Sequence, residues 1–161
     1  MEEITKEDVY GWLEDVKDPE IPVLSLVDLG VITDVTVDKD AVRIGMTPTF
    51  VGCPALDMMQ SEIREVLTRY GVKNIDISLS FKTPWNSDMI SQKGRQALRN
   101  FGLAPPPSRQ LVEDLEVLER AICPRCGHSN TELKSLFGAT LCRSIHYCND
   151  CKEAFEQFKP L

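Results

Sequence analysis

The sequence predicts an α+β protein in which a small mixed sheet covered by helices precedes a short, cysteine-rich β-hairpin domain. Helical and strand-like hydrophobic periods alternate over residues 1–104 in the order α-β-β-α-β-α. Three consecutive prolines at 105–107 then form a stiff spacer that cannot be helical. Five of the six cysteines follow in residues 121–161 of this 161-residue chain.

The first three elements are predicted from caps and alternation. Thr5, with an aspartate three residues later, is typical of a helix start, and Asp18 should end that helix because it precedes Pro19. Apolar residues alternate with more polar ones at 31–37 and again at 42–46. The polar turn between these runs predicts a β-hairpin.

The next three elements complete the domain. Residues 54–70 carry apolar side chains at helical spacing and stop at Gly71. Residues 72–81 alternate as a third strand, and Ser87 is predicted to cap a last helix that runs to 101–102. About 100 residues are enough for such a sheet and its helices to form a core of their own.

Charge supports the same division into residues 1–104, a proline-rich connector at 105–120 and residues 121–161. The chain has a net charge of −7, and its excess of acidic side chains lies in the first two parts; residues 1–104 hold 17 acidic and 11 basic side chains, whereas residues 121–161 hold 4 and 5. Nucleic acids and anionic membranes both favour basic surfaces, so neither is the expected partner.

The expected compartment is the cytoplasm. The chain contains no apolar run near the ~18 residues of a membrane span, and its acidic N-terminus does not resemble a secretory signal. Thiols stay reduced in the cytoplasm, so six cysteines are not expected to form three disulfides.

The C-terminal cysteines predict a zinc ribbon. Two Cys-x-x-Cys pairs, Cys123 with Cys126 and Cys148 with Cys151, can together supply the four thiolates of one tetrahedral ion. Strands over 132–136 and 141–147 would form the hairpin between them, with Phe155 and Phe158 packed against it. A structural Zn²⁺ would stabilise a domain of about 40 residues that is too small for a core alone.

Two alternatives remain for this cluster. A rubredoxin-like iron site would use the same four sulfurs, and a redox pair would use one Cys-x-x-Cys. Cys142 and His146 share a strand face with Cys148 but are expected to be spectators, and His128 is expected to be an exposed loop residue.

Cys53 is the one cysteine of residues 1–104, at the predicted start of the helix over 54–70. A helix N-terminus favours a thiolate, so the pKa of this thiol is expected to be lowered. The alternative is a buried capping cysteine without chemistry. No histidine lies in residues 1–104, which excludes a Cys–His dyad within this domain. Asp18, Glu20 and Asp28 crowd in two nearby loops, where solvated or capping carboxylates are the alternative.

These residues carry a resemblance to a known family. Residues 18–22 (DPEIP), 28–32 (DLGVI) and 47–54 (TPTFVGCP) resemble the iron–sulfur cluster assembly domain of SufT-like and cytosolic cluster-targeting factors. Residues 81–91 and 94–106 extend that match. Together with residues 123–127, 137–142 and 148–155 of the ribbon, the whole chain resembles the PaaD family, also called the phenylacetate-CoA oxygenase PaaJ subunit.

The resemblance implies a role in phenylacetate catabolism beside the multicomponent phenylacetyl-CoA epoxidase. The family is thought to help load an iron–sulfur or diiron centre into the epoxidase components or their reductase. Carried over, Cys53 would be the cluster- or iron-handling thiolate, and its polar neighbours would be Asp18, Glu20, Thr47 and Thr49. One cysteine cannot supply the four protein ligands of a cluster, so any cluster there would be transient and shared across a homodimer or with the client.

Three functions follow as hypotheses. The leading one is a maturation or accessory factor that is not itself catalytic. The second is enzymatic, with Cys53 as a nucleophile or the chain as a working oxygenase subunit, although the chain lacks the Glu-x-x-His pairs of a diiron site. The third is a structural adaptor whose ribbon binds a partner protein.

Overall fold

A computed structural model describes residues 3–39, 41–49, 52–108 and 119–160. Most of the predicted connector, residues 109–118, and positions 50 and 51 of the loop before Cys53 lie outside the described residues. The helices of the described part are α1 (Lys6–Leu13), α2 (Leu26–Leu29), α3 (Leu56–Arg69) and α4 (Gln92–Phe101), with a 3₁₀ turn at Ser87–Met89. The strands are β1 (Ile32–Asp38), β2 (Ala41–Met46), β3 (Asn74–Leu79), β4 (Leu103–Ala104), β5 (Thr131–Ser135), β6 (Arg143–Cys148) and β7 (Ala154–Phe158).

The chain divides into two compact units. Unit 1 comprises residues 1–85 and 89–94, and unit 2 comprises residues 86–88 and 95–161. The boundaries expected from the sequence, at 104 and 120, stay a prediction. The predicted α+β class is confirmed, since each unit forms its own small sheet and helices accompany the first.

The sheet of unit 1 has the order β1-β2-β3. The predicted hairpin is confirmed, with Val37 opposite Val42 in antiparallel register. β3 runs parallel to β2, and α3 makes the crossover between them. The apolar side of β2 (Val42, Ile44, Met46) and the apolar side of α3 (Met59, Ile63, Leu67) are buried. Alternation in the strands and a 3.6-residue period in α3 therefore build one core.

Two helix ends differ from the prediction. The capping box between Thr5 and Asp8 is confirmed, but α1 ends at Leu13 instead of continuing to Asp18. Ser87 was expected to cap the last helix, and this expectation is wrong. Ser87 begins the 3₁₀ turn, while the hydroxyl of Ser91 accepts the N–H of Gly94 in the first turn of α4. Ser91 also donates to Asp28, so a tertiary contact selects the later serine.

The loop around Asp28 contains a helix that sequence periodicity does not predict. Ser25 accepts the N–H of Asp28 at 3.0 Å and caps α2, a single turn. Gly30 ends it with a φ of 79°, in the left-handed region that glycine adopts without strain. Four residues are too few for a periodic pattern to show, so only the cap residues Ser25 and Gly30 carried information.

The sheet of unit 2 has the order β4-β7-β6-β5. The predicted hairpin is confirmed as β5 and β6, and Phe155 and Phe158 are buried as expected, on a further strand, β7. β4 adds two residues in parallel register, with Leu103 opposite Glu156. The guanidinium of Arg95 donates to the carbonyl of Pro106 at 2.6 Å, which anchors the chain where it leaves this sheet. Among the described helices, none has the length and apolar character needed to cross a bilayer.

Candidate metal centre and the Cys53 site

The two Cys-x-x-Cys pairs come together in unit 2. Cys123 and Cys126 lie on the turn before β5, while Cys148 ends β6 and Cys151 lies on the turn that leads into β7. Antiparallel pairing of Thr131 with Cys148 brings the two turns side by side. The four sulfurs all lie within 4.8 Å of one another.

The sulfur positions fit one tetrahedral ion. The Sγ atoms of Cys123 and Cys151 are 3.7 Å apart, and those of Cys126 and Cys148 are 3.5 Å apart. Four thiolates at the usual zinc–sulfur distance of ~2.3 Å form a tetrahedron with edges of about 3.8 Å. The six cysteines all lie in the described part of the chain, and none forms a disulfide.

The electrostatics of the cluster point to a cation. Backbone N–H groups of Cys151 and Asp150 donate to the sulfur of Cys148 and lower its pKa to about 7. Burial, together with hydrogen bonds to the neighbouring thiols, raises the pKa of Cys151 to about 12. Four thiolates at this spacing repel one another strongly, so a bound divalent cation is required before all four can ionise.

The remaining side chains near the cluster take the places expected of spectators. Within the described residues, the four-cysteine group includes neither Cys142 nor His146. Cys142 lies with its sulfur 3.0 Å from the hydroxyl of Thr140. His146 is fully buried, stacks on Phe155 and approaches the hydroxyl of Ser144 through Nε2 at 3.0 Å. His128 is exposed, as predicted.

Cys53 lies at the end of the sheet of unit 1. The chain passes from β2 through Thr47 to Gly52, whose φ is 82°, and α3 begins three residues after Cys53. The N–H of Ser80 donates to the carbonyl of Met46 at 2.8 Å, so the segment after β3 lies beside the start of the Cys53 loop. The carboxyl ends of two parallel strands and the beginning of α3 therefore lie at the same end of the sheet, and the half-buried thiol of Cys53 lies three residues before α3.

The expected direction of the Cys53 pKa is wrong. Burial raises the pKa of the thiol, and the negative charges of Asp18 and Glu20 raise it further. Hydrogen bonds from the backbone N–H groups of Ala55 and Leu56 act in the expected direction but are outweighed. The helix start was visible in the sequence, whereas burial and the two carboxylates come from the tertiary structure.

The polar residues predicted to be neighbours of Cys53 differ in burial and in their hydrogen bonds. Asp18 is buried, and its carboxylate accepts the N–H groups of Glu20 and Ile21 at 2.8 and 2.9 Å, which fixes the turn that carries Glu20. Thr47 is buried, and its hydroxyl donates to the carbonyl of Thr83 at 3.2 Å. Thr49 is half-buried on the same loop. The roles of these residues stay predictions.

Sequence reasoning missed an apolar surface at the turn between β5 and β6. Leu136, Phe137 and Leu141 are each more than half exposed. The turn is held by hydrogen bonds from the N–H of Gly138 to the carbonyl of Arg143 and from the N–H of Ala139 to the carboxylate of Glu156. Three apolar residues within six positions could have been noticed, but only the structure shows that none folds into the core.

Each of the two units contains a match to a known protein family. Residues 107–159 match the family described as the PaaD zinc beta ribbon domain, and residues 6–77 match the iron–sulfur cluster assembly protein family. A protein of Escherichia coli K12, named as one subunit of a "Putative 1,2-phenylacetyl-CoA epoxidase", is 36% identical over 94% of this chain and 91% of its own length. The chain belongs to the PaaD family. The cysteine-bearing hairpin of unit 2 is accordingly a zinc ribbon, as the sequence predicted.

Other relatives of this PaaD family member match its first part. An "Fe-S protein maturation auxiliary factor" of Porphyromonas gingivalis is 43% identical over 55% of the chain and 86% of its own length. The crystal structure of a domain of unknown function, DUF59, from Bacillus anthracis superposes with a TM-score of 0.55 at 32% identity, covering 58% of this chain and 90% of that one. The α+β fold of the first part is therefore shared with solved proteins.

Proposed function

We propose that this chain is an accessory factor that matures the phenylacetyl-CoA epoxidase by handling iron or an iron–sulfur cluster at Cys53. The observation that carries the proposal is a half-buried thiol next to two carboxylates, in a domain separate from the ribbon cysteines. The name of the Escherichia coli relative supports the epoxidase as the client protein. The name of the Porphyromonas gingivalis relative supports an iron–sulfur cluster as the cargo.

The electrostatics of Cys53 favour cation handling over nucleophilic attack. Burial raises the pKa of the thiol, and the negative charges of Asp18 and Glu20 raise it further, which disfavours a free thiolate at neutral pH. The same negative charges favour a bound cation, and iron that replaces the thiol proton would relieve the repulsion. The site thus suits a thiol that deprotonates when metal arrives, as expected for cargo that is held and released.

We further propose that the ribbon holds Zn²⁺ through Cys123, Cys126, Cys148 and Cys151. A closed four-thiolate site leaves no open coordination position for substrate, so the ion would supply stability to unit 2 and no chemistry. We expect the protein to work in the cytoplasm, where the thiols of both sites stay reduced.

The test is to express the cognate epoxidase components with this chain, without it and with its Cys53→Ser variant. We expect iron content and epoxidase activity of the purified components to fall severalfold both without the chain and with the variant. Glu7→Gln, on the exposed side of α1, is the control for a mild change of surface charge in unit 1. Equal iron and activity in the presence and absence of the chain would exclude maturation.

An adaptor role is the second candidate, and the exposed side chains of Leu136, Phe137 and Leu141 favour it. In that case the ribbon would bind an epoxidase component while unit 1 served as a scaffold. Phe137→Asp should then abolish binding and activity support, while Cys53→Ser should leave both intact. The maturation role predicts that Cys53→Ser abolishes support of activity.

A further inference from the structure

The described part of unit 1 exposes large apolar side chains mainly at one end. Its large apolar residues with more than a third of their surface exposed are Val23 (42%), Met58 (55%), Tyr70 (44%), Leu79 (38%) and Phe81 (57%). Tyr70 lies at the far end of α3 and stacks face to face on Trp12, with ring centroids 4.7 Å apart. Trp12 therefore already covers one face of the Tyr70 ring. Among the described residues, no such stacking accounts for the exposed side chains of the other four residues.

The other four lie on segments that the fold brings to the end of unit 1 where Cys53 lies. Leu79 ends β3, and Phe81 follows the Ser80 backbone contact to Met46 that lies beside the Cys53 loop. Met58 is in the first turn of α3, directly after that loop. Val23 belongs to the turn held by Asp18, which also carries Glu20. Three separate chain segments thus present apolar surface around one thiol.

We propose that Val23, Met58, Leu79 and Phe81 form a docking surface around Cys53 for a different protein that has an apolar patch rimmed by lysine or arginine and offers cysteine ligands. This inference rests on the proposed function, because a cluster held at Cys53 needs further ligands from a second molecule. A second molecule that shares a cluster must approach within bonding distance, and it would cover the apolar residues around the thiol. Exposed apolar side chains gathered at one end of a protein are typical of such binding sites.

Charge decides between a different protein and a second copy of this chain. A two-fold symmetric contact places the same residues of both copies near the axis. The exposed Glu20 and Asp57, which lies next to Met58, would then face their own copies, and like charges at an interface oppose association. Residues 1–104 as a whole hold 17 acidic and 11 basic side chains, so the net negative charge of both copies also opposes their association. The same negative charges would attract a partner whose apolar patch is surrounded by lysine or arginine.

The test measures binding of full-length chain to each purified, iron-free component of the cognate epoxidase, including its reductase. The double variant Met58→Asp, Phe81→Asp should weaken binding to one component at least about tenfold. Met58→Leu, Phe81→Leu keeps apolar surface at the same positions and should stay within about threefold of wild type. Circular dichroism checks that both variants fold, which their exposed positions allow.

A charge variant and a sedimentation measurement identify the occupant. Glu20→Lys should slow association with the basic-rimmed partner, and added salt should shrink the difference between this variant and wild type. Analytical ultracentrifugation should show that wild type and the double Asp variant have the same oligomeric state. A dimer that the Asp variant dissociates would overturn the proposal in favour of a second copy.

Separate readouts distinguish this inference from the proposed function. Unchanged affinity of the double Asp variant, or no binding of wild type to any component, would overturn the docking surface even if the chain raises iron content. Tenfold weaker binding of that variant, with iron content independent of the chain, would support the surface and exclude maturation. Loss of both binding and iron loading in the Asp variant supports both.

Discussion

The hydroxyl of Ser91 donates a 2.6 Å hydrogen bond to the buried carboxylate of Asp28. Ser25 donates to the other carboxylate oxygen at 3.1 Å, and the ammonium of Lys93 lies 3.3 Å from the same oxygen. One side chain thus joins the single turn of α2 to the start of α4. Because the link depends on a charge that is taken out of water, it makes unit 1 sensitive to substitution and to pH.

Replacing this carboxylate should destabilise unit 1. Asp28→Ala leaves the hydroxyls of Ser25 and Ser91 without their acceptor and should lower the free energy of unfolding by about 2–4 kcal/mol. Both tryptophans of the chain, Trp12 and Trp85, lie in unit 1, so urea unfolding followed by tryptophan fluorescence reports on this unit. Asp34→Ala, at an exposed ion pair with Lys6, is the control and should change the free energy of unfolding much less than Asp28→Ala does.

The same carboxylate predicts a pH dependence. Burial alone would raise the pKa of Asp28, but hydrogen bonds from Ser91, Ser25 and Lys93 outweigh it and hold the pKa below its usual range. A carboxyl whose pKa is lower in the folded state stabilises the protein above its unfolded pKa of about 4, and the contribution disappears as pH falls through the folded value. The stability difference between wild type and Asp28→Asn should therefore narrow below pH of about 4. A constant difference across that range would contradict the charge-based link.

Gly30 should tolerate no side chain. Its φ is 79°, and an added Cβ would lie 2.5 Å from the carbonyl oxygen of Met89 and 2.7 Å from the Cβ of that residue. Gly71 has a similar φ of 89° but open space around it. Gly71→Ala should cost about 1 kcal/mol, the backbone strain alone, whereas Gly30→Ala should cost at least about 2 kcal/mol more. Urea unfolding of the two variants measures this difference, and equal losses would show that the Met89 contact relaxes freely.

The thiol of Cys53 should titrate above an ordinary cysteine. Its reaction rate with iodoacetamide, measured against pH in zinc-loaded protein that carries Cys142→Ser, gives the pKa. Glu20→Gln removes one of the two negative charges that raise this pKa and should lower it, while Glu7→Gln, on the exposed side of α1, should not change it. An unchanged Cys53 pKa in Glu20→Gln would show that the carboxylate does not act on the thiol.

Zinc binding should depend on Cys123, Cys126, Cys148 and Cys151 alone. Cys126→Ser should reduce bound zinc from one equivalent per chain to far less and unfold the ribbon, because the contribution of zinc in zinc-finger peptides, ~10–16 kcal/mol, matches the whole stability of a typical domain. Cys142→Ser, on the adjoining strand, should keep one equivalent, since Cys142 is outside the four-sulfur group. Elemental analysis measures bound zinc, and circular dichroism measures folding of the ribbon. Loss of zinc from the Cys142 variant would show that Cys142 also takes part in zinc binding.

Several features followed from local patterns in the sequence. The capping box of Thr5 and Asp8, the β1–β2 hairpin and the four-cysteine group depend on residue types at fixed spacing, and the structure contains all three. Each of these patterns acts between neighbours along the chain or between two repeated turns. The sequence by itself therefore determined the α+β class, the zinc ribbon and the isolation of Cys53 from the other cysteines.

The tertiary structure decided what depends on distant residues. Ser91 caps α4 instead of Ser87 because Asp28 accepts its hydroxyl, and β4 forms because β7 offers a free edge to Leu103. The pKa of Cys53 rises because burial and the charges of Asp18 and Glu20 outweigh the N–H groups of its own helix. Desolvation and charge act through space and not along the chain. Spacing in the sequence could therefore locate this thiol but not set its chemistry.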